Sequence, residues 1–213
     1  MCEIEEIQKG ENQVAYMGVA LLLTCSRGLV LVRNKYSWGP VAGSVQNEVI
    51  PEAVLREAQE EVKLASLPTG LRFVATGVFP ADKAHTVGYL YEAWTNETPN
   101  WVVTGDPDIE EAKVFGVAEV IQLIDGGNIT HPEYNVDHLL RWVAIQANKI
   151  GNGSIYRTWV VDQFKAGRFA GFGFIRDPVM HCPFLVFTTW KGNEIGDNRV
   201  VLWRLEEKDL VRI

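Results

Sequence analysis

The sequence has no apolar run long enough to cross a bilayer. Its most apolar stretch, Val19 to Leu23, falls far short of the roughly 20 residues that a spanning helix needs, so no membrane association is expected. Cysteine is scarce. Cys2, Cys25 and Cys182 are scattered, odd in number and without metal-ligand spacing. They exclude a disulfide framework or a cysteine metal centre and read as reduced thiols. Basic residues are outnumbered, 20 Lys and Arg against 27 Asp and Glu, for a net charge of -7. That balance argues against non-specific nucleic-acid binding, which rests on cations neutralising phosphates. It leaves room for a small phosphorylated substrate, because a bound metal supplies local positive charge. Met1 to Gly10 is acidic and lacks the basic-then-apolar pattern of a secretory leader; a cytoplasmic location is the expectation. There is no internal repeat and no low-complexity segment. What is present is 213 residues, 47% of them apolar, enough for one full domain plus a sizeable extension.

Ala15 to Thr24 reads as a buried strand, and Gly28 to Arg33 as a second strand after the turn Ser26-Arg27-Gly28. A Gly-bearing loop, Trp38 to Gln46, leads to a helix over Pro51 to Leu64. There Pro51 suits the first turn, and Ala53, Val54, Ala58 and Val62 form an apolar stripe. Leu71 to Phe79 and Val87 to Trp94 are expected strands joined by Pro80 to His85. A long polar loop follows over Asn96 to Asp108, then a short strand from Lys113 to Val117. Helices are expected over Glu119 to Ile124 and Asn135 to Ile150, the latter ended by Gly151-Asn152-Gly153.

The stretch Arg56-Glu57-Ala58-Gln59-Glu60-Glu61 carries the chemistry. Residues three and four apart share a helical face, so Glu57, Glu60 and Glu61 are expected to point one way beside Arg56. Crowded carboxylates repel unless a cation sits among them, and hard oxygen ligands of this kind suit Mg2+ or Mn2+ in a site that also takes substrate phosphates. A solvated acidic face is the other reading, and spacing alone leaves both open.

These residues resemble the Nudix signature, G-x5-E-x7-R-E-U-x-E-E-x-G-U, where U is bulky and apolar. Glu48 stands at the first Glu, Val49 to Leu55 fill the spacer, Arg56 and Glu57 match R-E, Glu60 and Glu61 match E-E, and Leu64 fills the last apolar place. There are three departures. Gly43 and Glu48 are separated by one residue fewer than the pattern, Gln46 stands where many members have Glu, and Lys63 replaces the final Gly. The resemblance implies an α/β/α sandwich around a mixed sheet, over residues 12–150. It also implies Mg2+- or Mn2+-dependent hydrolysis of a nucleoside diphosphate linked to another group. Carried onto this sequence, Glu57, Glu60 and Glu61 are the metal ligands, Arg56 holds them by charge-assisted hydrogen bonds, and Glu48 is a supporting carboxylate at the helix start. Glu57, Glu60 or Glu111 is the candidate base. The alternatives are a nucleotide-binding sensor that does not cleave, and an RNA-cap pyrophosphohydrolase.

Further candidates rest on position. Glu110 and Glu111 precede the Lys113 strand and are either an extra loop glutamate of the site or a solvated turn. Arg33 is a candidate phosphate contact or an exposed strand end. Gly43 belongs to the loop facing the metal helix. Trp38, Tyr36 and Phe79 are stacking candidates or core, His85 lies in a loop that could approach substrate, and His131 and His138 flank the start of the last helix, with His138 read as structural. Residues 154–213 hold Trp159, Phe164, Phe169, Phe172, Phe174, Phe184, Phe187, Trp190 and Trp203. Strands are expected over Phe184 to Trp190 and Arg199 to Leu205. This extension is too aromatic for a linker and is expected to pack on the domain or form a homodimer surface, with Gly167 to Phe174 as a candidate mobile loop.

Overall fold

The computed structural model describes residues 16–35, 37–64, 66–81, 84–96, 107–150, 155–166, 172–176, 183–187 and 200–204. The first strand, β1 (Tyr16–Cys25), sets the architecture. Successive side chains of a strand face opposite ways. Val19, Leu21 and Leu23 join one buried cluster while Ala20 and Leu22 join the other. A strand covered on both faces reads as a continuous apolar run, which is why Val19 to Leu23 carries no polar residue.

The remaining strands of the main sheet are β2 (Gly28–Asn34), β3 (Trp38–Gly39), β4 (Val41–Ser44), β5 (Thr69–Ala81), β6 (Ala84–Trp94) and β7 (Ile109–Phe115). β1 runs parallel to β6 and antiparallel to β2 and β4, so the sheet is mixed. Its order is β3-β2-β1-β6-β5, with β7 beside β2. Helix α1 (Ile50–Val62) covers one face through Ala53, Val54, Ala58 and Val62. Helices α2 (Val117–Asp125) and α3 (Pro132–Ile150) cover the other, around Leu139, Leu140, Val143 and Ala147. The result is the α/β/α sandwich.

The structure corrects several boundaries. The stretch after Ser37 is not one loop: Trp38–Gly39 pairs with β2 and Val41–Ser44 pairs with β1, Gly43 lying opposite Val19. β7 starts at Ile109 rather than Lys113, so Glu110 and Glu111 are strand residues facing β2, not a loop before it. β5 and β6 extend to Ala81 and from Ala84, which places His85 in a strand. α3 begins at Pro132, three residues early. Lys63 ends α1 in the left-handed region, at φ 42° and ψ 56°, its N–H donating to the Gln59 carbonyl. Lysine thus adopts the conformation for which glycine is favoured, at a cost of about 1 kcal/mol.

Past residue 154 the chain forms a further helix, α4 (Ile155–Lys165), that the aromatic pattern did not disclose. Val160 is fully buried in the same cluster as α3, with Tyr156, Trp159 and Val161 against it, and the Trp159 indole donates to Asp125 at 3.0 Å. The strands β8 (Phe172–Arg176), β9 (Pro183–Phe187) and β10 (Val200–Arg204) form a separate antiparallel sheet in the order β10-β9-β8. Tyr36, most of the Asn96 to Asp108 loop, the Gly151 to Gly153 stop, Phe169, Trp190 and most of the stretch from Gly167 to Phe174 lie outside the described residues.

Candidate active site

Packing fixes the roll of α1. With its apolar stripe on the sheet, Glu57 and Glu61 come down against β4 and are buried, 6% and 4% exposed, while the Glu60 side chain stays half in solvent. A Cβ at Gly43 would run into the Glu57 carboxylate, so this position admits glycine alone unless Glu57 moves. Glu61 accepts the Ala42 N–H at 3.1 Å. The sheet edge at Ala42 and Gly43 is therefore the bed on which both carboxylates lie.

Arg56 is the hub. Its Nε donates to both Glu48 oxygens at 3.1 Å. Nη2 reaches Glu48 at 2.9 Å and the Ser44 carbonyl at 2.8 Å. Nη1 lies 2.8 Å from Glu57 Oε1 and 2.7 Å from Glu60 Oε2. A planar guanidinium with five N–H donors suits such a shared clamp, and lysine would not. The hydrogen bond from Arg56 holds the Glu48 carboxyl below its usual range, and Glu48 in turn raises the arginine pKa further. Arg56, Glu48, Glu57 and Glu60 thus meet at one point. Glu61 is turned instead toward Ala42. Three carboxylates around one guanidinium leave a net negative charge.

Beside this cluster lies a cavity of about 520 Å³. Ala42, Gly43, Ser44 and Glu61 line it on the α1 side. Thr130, His131, Tyr134, Asn135 and His138 line it from α3 and the turn before it. That second wall was missed as a unit, though its signal is present: His131, Tyr134, Asn135 and His138 recur at the i, i+3, i+4, i+7 spacing of one helical face, where apolar residues would ordinarily stand. His138 is 3% exposed; burial, with the Arg141 charge adding to it, pushes its pKa down to about 3. The imidazole is thereby kept neutral at ordinary pH.

The other expected contacts fall elsewhere. Arg33 pairs with Glu110 at 3.0 Å and Glu111 at 3.1 Å, across the β2–β7 register, and its guanidinium lies 5.8 Å from the Trp38 ring centre. Trp38 itself is in the core, edge-on to Phe115 at 4.6 Å. None of these five lines the cavity.

The model of the NUDIX domain family matches residues 15–135, more than half of the chain. This chain belongs to the Nudix family. It is accordingly a hydrolase of phosphorus-containing anhydrides, in a family acting on nucleoside diphosphate derivatives and generally using divalent metals. No curated protein matches significantly. Among solved structures, the MutT protein of Methanosarcina mazei Go1 is 17% identical, with 62% of this chain and 96% of that chain covered and a TM-score of 0.49. The NUDIX domain of Shewanella oneidensis NrtR, complexed with ADP ribose, is 16% identical, with 66% and 97% covered and a TM-score of 0.49. A C. elegans Ap4A hydrolase is 18% identical, with 63% and 98% covered and a TM-score of 0.46.

The Nudix helix fits a hard divalent cation. Among the described residues no three His, Cys, Asp or Glu side chains form a ready-made metal cage. Mg2+ does not require one, since it is usually held by one or two carboxylates with water and substrate phosphates completing the shell. The all-oxygen donor set, the two carboxylates buried against β4 and the excess negative charge around Arg56 match that mode. Among the described residues no helix is long and apolar enough to cross a membrane.

Proposed function

We propose that this Nudix protein cleaves the pyrophosphate bond of a nucleoside diphosphate linked to another group, with Mg2+ or Mn2+ held by Glu57, Glu60 and Glu61. The observation that carries this reading is the Arg56-centred carboxylate cluster next to a cavity of about 520 Å³ that Glu61, Gly43 and Ser44 line on that side. Arg56 positions the glutamates, and Gly43 leaves room for the Glu57 carboxylate. Glu48 keeps the guanidinium in register. Glu57, Glu60 and Glu61 would hold the divalent ion, whose positive charge would offset the negative charge that develops on the phosphate. A carboxylate of the cluster takes the proton of a water whose oxygen attacks phosphorus in line; the P–O bond to the bridging oxygen breaks, and that oxygen leaves with the second phosphate. Glu57 and Glu60 are the candidate bases. For Glu111 that role requires giving up its ion pair with Arg33. The products are a nucleoside monophosphate and a phosphorylated remainder.

The test is a panel of dinucleotides, ADP-ribose, nucleoside triphosphates and capped RNA, assayed with Mg2+, with Mn2+ and with a chelator. Cleavage of a nucleoside diphosphate derivative that stops on chelation supports the reading. Tight binding of the panel with no turnover under any metal would convert the protein to a sensor, and cleavage of capped RNA alone would replace the substrate.

A further inference from the structure

The α3 wall of the cavity holds a polar atom that the fold itself does not use. Asn135 is 2% exposed, lines the cavity and donates through Nδ2 to the Thr130 carbonyl at 2.7 Å. A carbonyl oxygen only accepts, so the amide nitrogen must face Thr130 and the amide oxygen must face away from it. That oxygen, Oδ1, is buried and meets no donor among the described residues. Leaving a buried acceptor unmet costs more than an ordinary hydrogen bond returns, and natural folds keep such atoms few.

The amide is also held rigidly. Thr130 accepts from Asn34 Nδ2 through its hydroxyl at 3.0 Å, and its N–H donates to the Trp38 carbonyl at 2.8 Å. Next to Asn135, the rings of His131 and Tyr134 stack at 5.3 Å and 12°, and His131 occupies the left-handed region at φ 44°. Non-glycine residues in that region gather at functional sites. A fixed acceptor beside an aromatic pair is a device for reading a flat ring that carries an N–H group.

We infer that Asn135 is a specificity-determining residue, whose Oδ1 accepts a hydrogen bond from an N–H on the edge of the substrate's nucleobase. This rests on the reading of the cavity as a nucleoside diphosphate site. The diphosphate lies at the Glu61 and Gly43 side and the base at the α3 side. A base with no N–H leaves Oδ1 unmet and binds more weakly, which is how a buried polar group rejects an analogue.

The experiment measures calorimetric affinity, with Mg2+ present, for the uncleavable α,β-methylene diphosphates of adenosine, guanosine, cytidine, uridine and purine riboside. Purine riboside keeps the adenine ring system and has no N–H. In wild type the tightest of the four natural bases should exceed the purine riboside compound by about tenfold to a hundredfold. Asn135→Leu should erase that gap by weakening the natural ligand and leaving the purine riboside affinity unchanged. Equal losses for all five analogues, or no loss for any, would overturn the assignment. If Asn135→Leu fails to fold, the wild-type comparison decides alone, and equal affinity for the donor-bearing and donor-free compounds overturns it. Failure of wild type to bind any of the five would remove the underlying reading and the inference with it. Hydrolysis of a diphosphate derivative with an unchanged base preference would remove only the inference.

Discussion

The two walls of the cavity are built on opposite principles. The α1 wall is charged: Glu61 lines it, the Arg56 cluster lies behind it, and Glu57 and Glu61 rest against backbone at Gly43 and Ala42. The α3 wall holds no carboxylate, lysine or arginine: it offers the Asn135 amide, the Thr130 and Tyr134 hydroxyls, His131, and a His138 kept uncharged by burial. Charge belongs where anionic phosphate and a cation are handled. Neutral directional groups belong where like molecules must be told apart, since a hydrogen bond discriminates by geometry and a point charge does not. If that division is right, changes to the first wall alter rate, and changes to the second alter choice of ligand.

The largest expected effect tests the first wall. Glu57→Gln and Glu61→Gln each remove a negative oxygen while keeping size, and should lower hydrolysis by about a thousandfold with the circular dichroism spectrum unchanged. Glu60 is half exposed, so Glu60→Gln should do less if burial sets ligand strength. Unchanged turnover in all three would remove the metal assignment. Arg56→Ala should follow, with Mn2+ affinity weakened about tenfold, because Glu48, Glu57 and Glu60 then repel without a counter-charge. An unaltered Mn2+ affinity with a weakened nucleotide affinity would make Arg56 a substrate contact instead.

The same division explains what could be read in the sequence. The α1 wall is local: Arg56 to Glu61 lie within two turns of one helix, and periodicity plus charge pattern bring them together before any fold is known. β1 is legible for a similar reason, because burial on both faces leaves an uninterrupted apolar run. The strand pairs at Trp38–Gly39 and Val41–Ser44 were hidden, since two- and four-residue strands around Pro40 have too few residues to show alternation. Glu110 and Glu111 read as a loop because two acids in a row contradict a buried strand. β7 carries them at its half-exposed start, where Arg33 stands opposite, 77 and 78 residues away. The α3 wall combines a turn at Thr130 with a helical face and needs β3 to hold it, so its polar stripe had no visible partner.

The extension tests whether the domain is self-sufficient. α4 buries Val160 completely and caps Asp125 through Trp159. We propose residues 12–150 as the catalytic domain and 154–213 as an extension packed on it. A protein ending at Gly153 should then lose about 2 kcal/mol of stability, roughly the worth of one buried side chain, and should be less soluble, because it bares apolar surface on α3. Chemical denaturation with and without the extension measures it. Equal midpoints would make the extension a passenger.

The smallest effect probes the neutrality of the second wall. His138 titrates near its ordinary value of about 6.5 when unfolded, but burial holds it down to about 3 in the fold. Between those values the unfolded chain binds a proton that the folded chain refuses, so stability falls as the solution is acidified. The contribution is fully present above pH 6.5, has dropped by about 1.4 kcal/mol at pH 5.5, and goes on falling toward pH 3. Carboxylates titrate in the lower part of this range, so the informative quantity is the difference between wild type and His138→Gln. That difference in unfolding free energy should change between pH 7.5 and pH 5.5 by about the same 1.4 kcal/mol, the variant being the flatter of the two. Arg141 contributes to the shift and is itself paired with Asp137 at 2.8 Å, so Asp137→Asn should leave the histidine neutral and the slope in place. A His138→Gln variant with the wild-type slope over that interval would mean that the imidazole is protonated in the fold, and the α3 wall would then carry charge where a neutral reader of the base is needed.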